Sequence, residues 1–235
     1  MFLGNGDERT DGMGNNRDEY RSRVITAQKP AFGTSLEEHL KMTNTSISLV
    51  LEVCIACLME HINEEGLFRI SGSSSKIKRL KYVFDTGFQL EDLEEFNEPH
   101  AVAGTLKCYL RELPEPLLTY ALYHEWIGAS KIEPQQRLQA LWQVVQKLPK
   151  ANLANLKYLI RFLLHLSKSS EFNRMSPQNI AIAVAPSLMW PPNSKDENAP
   201  IDLSQDMTAA ASHNCIISLL LTYADYFFPE NGMYV

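Results

Sequence analysis

Arg69 is the side chain best placed to do chemistry in this sequence. It sits within Glu65-Gly66-Leu67-Phe68-Arg69-Ile70-Ser71-Gly72. A guanidinium is always charged and presents a planar fork of donors, which suits carboxylate and phosphate oxygens. Phe68 and Ile70 are expected to anchor the loop by burial, with Gly66 and Gly72 allowing a tight bend on each side. Arg69 would then be held outward in a fixed place. An ion pair with Glu64 or Glu65 is the competing reading, and the loop alone leaves both open.

Lys107 and Arg111 stand one helical turn apart. At about 100° per residue, Val102, Leu106, Tyr109, Leu110 and Leu113 share one face of a helix. His100, Gly104, Lys107 and Arg111 fall on a stripe well away from it. That stripe is either a solvated charged face or a basic surface for an acidic partner, with Gly104 permitting close approach. Lys76, Lys78, Arg79 and Lys81 form a second basic cluster, opposed by Asp85 and the acids at 91–98. Such polarity suits an ordinary solvated face or the steering of a charged protein partner. Contact with anionic lipid is the weaker reading, because no aromatic face accompanies the four cations.

Other chemistries find no support. The sequence has no G-x-x-x-x-G-K, G-x-G-x-x-G, H-E-x-x-H or G-x-S-x-G. The histidines at 39, 61, 100, 124, 165 and 213 show no ligand spacing and read as surface or satisfied core residues. Cys54 and Cys57 form a lone C-x-x-C without a second pair, so all four cysteines read as reduced core thiols. The 22 Lys and Arg against 28 Asp and Glu give a formal charge of −6, which argues against general affinity for nucleic acid. No secretory signal, lipidation motif or membrane span is expected, and the sequence reads as cytoplasmic.

The elements that must position these residues read as helices. Residues 1–30 hold four of the eleven glycines with five acids and five bases, and read as a disordered leader. From about Ala31 the periodicity is helical to about Phe228, without hairpin signals. Ser35-Leu36-Glu37-Glu38 is a capping box. Ile47 to Ile62 carries an apolar face, ended by Glu64-Glu65-Gly66. The next helix holds Ile77, Leu80, Val83 and Phe84 and stops at Gly87. Residues 88–99 read as an acidic loop. A helix follows from about His100 to Glu112, then a short one over Leu117 to Ala129. Pro134 opens another, closed by Pro149, and 152–168 forms the next. Ser176-Pro177 starts a helix ending near Pro186. A Pro/Asn/Asp-rich loop at 191–200 leads to the last helix, whose apolar end runs from Cys215 to Phe228. The expectation is a single all-α domain over 31–229, with a tail at 230–235.

Three stretches together resemble the RhoGAP domain family. They are Glu65 to Gly72, then Leu106-Lys107-Cys108-Tyr109-Leu110-Arg111-Glu112-Leu113-Pro114-Glu115-Pro116-Leu117-Leu118, then Met175-Ser176-Pro177-Gln178-Asn179-Ile180-Ala181-Ile182-Ala183-Val184-Ala185-Pro186-Ser187-Leu188. They keep the family's order and approximate separations, over roughly Ala31 to Pro229. Phe32-Gly33-Thr34-Ser35-Leu36-Glu37-Glu38-His39-Leu40 and Pro99-His100-Ala101-Val102-Ala103-Gly104 are most similar to the nadrin (RICH-type) branch. Members of that branch usually carry a BAR domain, for which residues 1–30 are too short.

The resemblance implies a GTPase-activating protein for Rho-family small GTPases in their GTP-bound state. Arg69 would be the arginine finger, inserted in trans to neutralise charge on the transferred phosphoryl group. Lys107 and Arg111 would serve binding and positioning, with some support of the Arg69 loop, and Asn179 would contact the GTPase's switch region. GTP and Mg²⁺ would belong to the partner, with no cofactor in this chain. An inert adaptor that binds without activating is the alternative. One departure stands out: Ala185-Pro186-Ser187 replaces the family's common Gly-Pro-Asn. Loss of the glycine alters backbone freedom and loss of the asparagine removes a hydrogen-bonding amide, which bears on partner affinity or selectivity and not on the finger.

Overall fold

Helix boundaries follow the capping residues and prolines. The computed structural model describes residues 30–192 and 203–229. Among them every α-helix and 3-10 turn belongs to one all-α arrangement without a strand. The Ser35 hydroxyl accepts the Glu38 N–H at 3.3 Å and opens α1 (Leu36–Thr43), which Asn44 closes in the left-handed region. Helix α2 (Leu49–Met59) buries seven of its eleven residues, more than one face of a surface helix needs. It ends before the expected Glu64-Glu65-Gly66 stop, and turns over 60–66 lead into the Arg69 loop.

Helix α3 (Ser74–Thr86) buries Leu80, Val83 and Phe84 and stops at Gly87, as expected. The acidic stretch after it is not a loop. Leu90–Phe96 winds as a 3-10 helix behind a capping box in which the Gln89 N–H donates to Asp92 Oδ2 at 2.8 Å. Phe96 turns inward to meet the rings of Phe84 and Phe88.

Helix α4 (Pro99–Glu112) starts on a first-turn proline and buries Val102, Leu106, Tyr109 and Leu110 along the predicted face. It packs against α2 and α3, and against α9 (Pro177–Leu188) from far along the chain. Between them lie α5 (Tyr123–Ser130), α6 (Pro134–Val145), α7 (Lys150–Lys168) and α8 (Ser170–Asn173). Helix α5 is shorter than expected, because 117–122 forms turns in which the Leu118 carbonyl accepts the Trp126 indole N–H at 3.0 Å. Helix α6 stops at Val145, ahead of Pro149. Helix α9 runs past Pro186 to Leu188; the proline removes one donor, yet the Met189 N–H still reaches the Ala185 carbonyl at 3.2 Å. Helix α10 (Leu203–Thr222) packs on α9 and α7, and Tyr223 separates it from α11 (Ala224–Phe227).

Buried polar groups in this core are paired where they join helices. The Asn155 Oδ1 accepts the Ser48 N–H at 2.8 Å, and its amide donates to Ser46 and Ala151 carbonyls at 3.0 and 2.9 Å. This ties α2 to α7. His39 Nδ1 lies 2.8 Å from the Tyr109 hydroxyl, and His213 Nε2 lies 3.1 Å from that of Tyr123. Both histidines are core residues that burial pushes down to about 4. The four thiols are free, and burial raises Cys54 well above its usual range. No helix among the described residues is long and apolar enough to cross a membrane. The expected leader (save Pro30), the 230–235 tail and most of the 191–200 loop lie outside the described residues.

Candidate functional site

The Arg69 loop is a tight turn fixed from below. Gly66 adopts φ 69°, its N–H donates to the Asn173 carbonyl at 2.8 Å, and its own carbonyl accepts the Arg69 and Ile70 N–H groups at 2.8 Å each. Leu67 and Phe68 point into the core, Phe68 being only 1% exposed, with its ring 6.1 Å from that of Phe162 on α7. Phe68 also holds φ 70°, a left-handed conformation that costs a non-glycine residue about 1–2 kcal/mol. Burying the ring, worth about 2–3 kcal/mol, offsets that cost.

Two expectations for this loop are corrected. Ile70 does not anchor it, being 45% exposed; Leu67 takes that part. Gly72 serves close approach rather than a bend: a Cβ there would lie 2.3 Å from the Ala101 nitrogen at the start of α4. The competing ion pair is weak. Arg69 Nη2 is 3.9 Å from Glu65 Oε1 with both side chains largely exposed, while Glu64 lies 3.3 Å from His100 Nε2.

Helix α4 supplies the neighbouring cations. Lys107 Nζ donates to the Phe68 carbonyl at 2.6 Å, gripping the loop one residue before Arg69. Burial, and then the charge of Arg111, lower the pKa of this lysine. Arg111 is exposed, and its Nη1 donates to Ser187 Oγ on α9 at 3.2 Å. Ile70, Ser71, Lys78, Lys107 and Arg111 line part of a groove of about 550 Å³ between the loop, α3 and α4. The space over Gly104 belongs to α3, since a Cβ there would meet Ile77 Cδ1 at 2.6 Å. Gly104 still lines the groove, so its missing side chain also keeps that wall open.

The second basic cluster is largely answered within the chain. Lys76 and Arg79 reach Glu95 at 3.8 and 3.4 Å, and Lys81 pairs with Glu112. Lys78 is left to line the groove. This internal pairing reduces the charge available to a membrane surface.

Asn179 sits in the first turn of α9. Its backbone N–H donates to the Ser176 hydroxyl at 3.3 Å and its amide to the Arg174 carbonyl at 3.0 Å. Beside Arg174 in the chain lies Asn173, whose carbonyl accepts the Gly66 N–H of the Arg69 loop and whose role periodicity could not reveal. That fully buried amide donates to the Ile62 and Leu166 carbonyls at 2.8 Å each, and its Oδ1 accepts the Met175 N–H at 2.8 Å. Lys107 is therefore tied to the carbonyl one residue before Arg69 and shares the groove with Arg111, while Asn179 is tied to the Arg174 carbonyl, next in the chain to the buried Asn173. The assembly can present a fixed cation to an anionic group with further cations beside it.

Comparison with known proteins bears on what that group is. The description "RhoGAP domain" is matched by residues 48–193. The chain is 46% identical over 208 residues to human Rho GTPase-activating protein 17, covering 87% of this chain and 23% of that protein. It is 42% identical over 215 residues to human Bargin, covering 90% of this chain and 31% of that protein. The crystal structure of human Rho GTPase activating protein 15 superposes with a TM-score of 0.75 at 26% identity, covering 87% of this chain and 93% of that one. The chain thus spans about a quarter to a third of the curated relatives it matches.

Proposed function

The chain belongs to the RhoGAP domain family, and from that premise we propose that it accelerates GTP hydrolysis by a Rho-family small GTPase through Arg69. The observation carrying this reading is the exposed guanidinium on a turn closed by Gly66, buried through Phe68 and gripped by Lys107. With the backbone of the turn already fixed, only the side chain remains to be ordered on entering a partner's site. Charge building on the transferred phosphoryl oxygens is what an inserted arginine stabilises, and fingers of this kind are worth about 10³–10⁵ in rate.

The nucleotide, its Mg²⁺ and the attacking water belong to the partner in this reading, and the chain brings no cofactor. It activates another protein's turnover rather than running its own. Lys107 has two parts: it faces the groove and it fixes the Phe68 carbonyl. Arg111 and Asn179 serve as contacts with the GTP-bound partner. The chain would act in the cytoplasm, reaching membranes through its GTPase.

Single-turnover hydrolysis by Rho and Rac proteins loaded with GTP, with wild-type chain and Arg69→Ala in parallel, tests the proposal. Strong acceleration by wild type that Arg69→Ala abolishes, while GTP-state binding survives, is the expected result. Binding without acceleration would make the chain an adaptor. Equal losses in affinity and rate would remove the finger role from Arg69.

A further inference from the structure

Ser187 belongs to a candidate contact surface that the motif comparison read only as a missing amide. Its side chain is 1% exposed in the last turn of α9. A buried hydroxyl needs a partner, and this one accepts from Arg111 Nη1 at 3.2 Å. Arg111 lies in the last turn of α4, is exposed and lines the groove. Without a tether such a side chain samples many rotamers. Serine has one rotatable bond to its acceptor, so the backbone of α9 sets where the oxygen lies. Helix α9 also carries Asn179 in its first turn.

We propose that Ser187 is a positioning residue, whose hydroxyl ties Arg111 to α9 and sets the spacing between the Arg111 and Asn179 contacts. The proposal rests on the reading of Arg111 as a contact to the GTPase. In that reading Arg111 supplies binding that is the same in the ground and transition states, whereas Arg69 is assigned to the phosphoryl group. Loss of the tether therefore weakens ground-state and transition-state complexes alike, which appears in KM and not in kcat.

The test is a double-mutant cycle on GTPase activation, using S187A, R111A and the combined variant, with a thermal melt of each. S187A is expected to raise KM for the GTP-loaded partner by about three- to tenfold with kcat unchanged, the span of one lost hydrogen bond. In the R111A background S187A is expected to have no further effect. S187C fills the same space with a weak acceptor and should reproduce S187A, while S187T keeps the hydroxyl and should restore the wild-type KM. An unchanged KM in S187A, or an equal increment with and without Arg111, overturns the proposal. If R111A alone leaves KM unchanged, the contact role of Arg111 fails first, and the role of Ser187 falls with it.

Discussion

Replacing Lys107 by methionine separates a lysine that merely touches a partner from one that holds Arg69 in place. The ammonium lies 2.6 Å from the Phe68 carbonyl. A hydrogen bond from a charged donor contributes about 1.5–3 kcal/mol. The bond is only part-buried, so water replaces some of it when the ammonium is removed. About 1–2 kcal/mol remains, close to the cost of the left-handed Phe68 backbone it steadies. Methionine keeps the stem and removes the donor, so the buried ring alone holds the turn and the backbone at Arg69 is less firmly fixed. Single-turnover hydrolysis at saturating Lys107→Met protein should then slow by about 5- to 30-fold. Leu67 and Phe68 stay buried, so the melting temperature should fall by only a few degrees. A saturated rate equal to wild type, with only affinity lost, would refute the reasoning.

Three predictions concern the frame. Gly72→Ala forces a Cβ to 2.3 Å from the Ala101 nitrogen, where only backbone could yield; denaturant titration should show a loss of about 3 kcal/mol. Asn173→Ala strands the Ile62 carbonyl and the Met175 N–H and leaves the Leu166 carbonyl with only the Ser169 N–H at 3.2 Å; a loss of about 2–4 kcal/mol should appear in a urea melt, and a loss below about 1 kcal/mol would contradict the network. His39 and His213 have folded pKa values of about 4, so the unfolded chain takes up their protons first as pH falls through about 6.5. Stability is complete above that pH and declines toward 4, with about 2 kcal/mol lost by pH 5 for each. A melting temperature equal at pH 7.5 and pH 5 would contradict this.

The all-α class and the buried face of α4 were legible because periodicity at 102, 106, 109 and 110 reports burial directly. Pro134 and Ser176-Pro177 marked the starts of α6 and α9 for a local steric reason, whereas the expected start of α4 at about His100 left out its first-turn Pro99. What escaped was decided by tertiary contact. Ile70 is apolar yet exposed, because the turn closed by Gly66 spends its inward positions on Leu67 and Phe68. The acidic stretch at 88–99 winds around Phe96, whose aromatic partners lie on and just after α3. Arg69, Lys107, Arg111 and Asn179 were singled out by type and motif. Asn173 and the acceptor role of Ser187 depend on partners more than seventy residues away, which no local pattern encodes.

The central claim is that Arg69 stabilises the transition state and not the ground state. Its most direct test compares binding of wild type and Arg69→Ala to a Rho-family GTPase in two states. One state carries a non-hydrolysable GTP analogue, and the other carries GDP with aluminium fluoride in place of the transferred phosphoryl group. The account predicts that wild type binds the second state far more tightly than the first, and that Arg69→Ala loses this preference while keeping its affinity for the first. An Arg69→Ala protein that binds the aluminium fluoride state as tightly as wild type would contradict it.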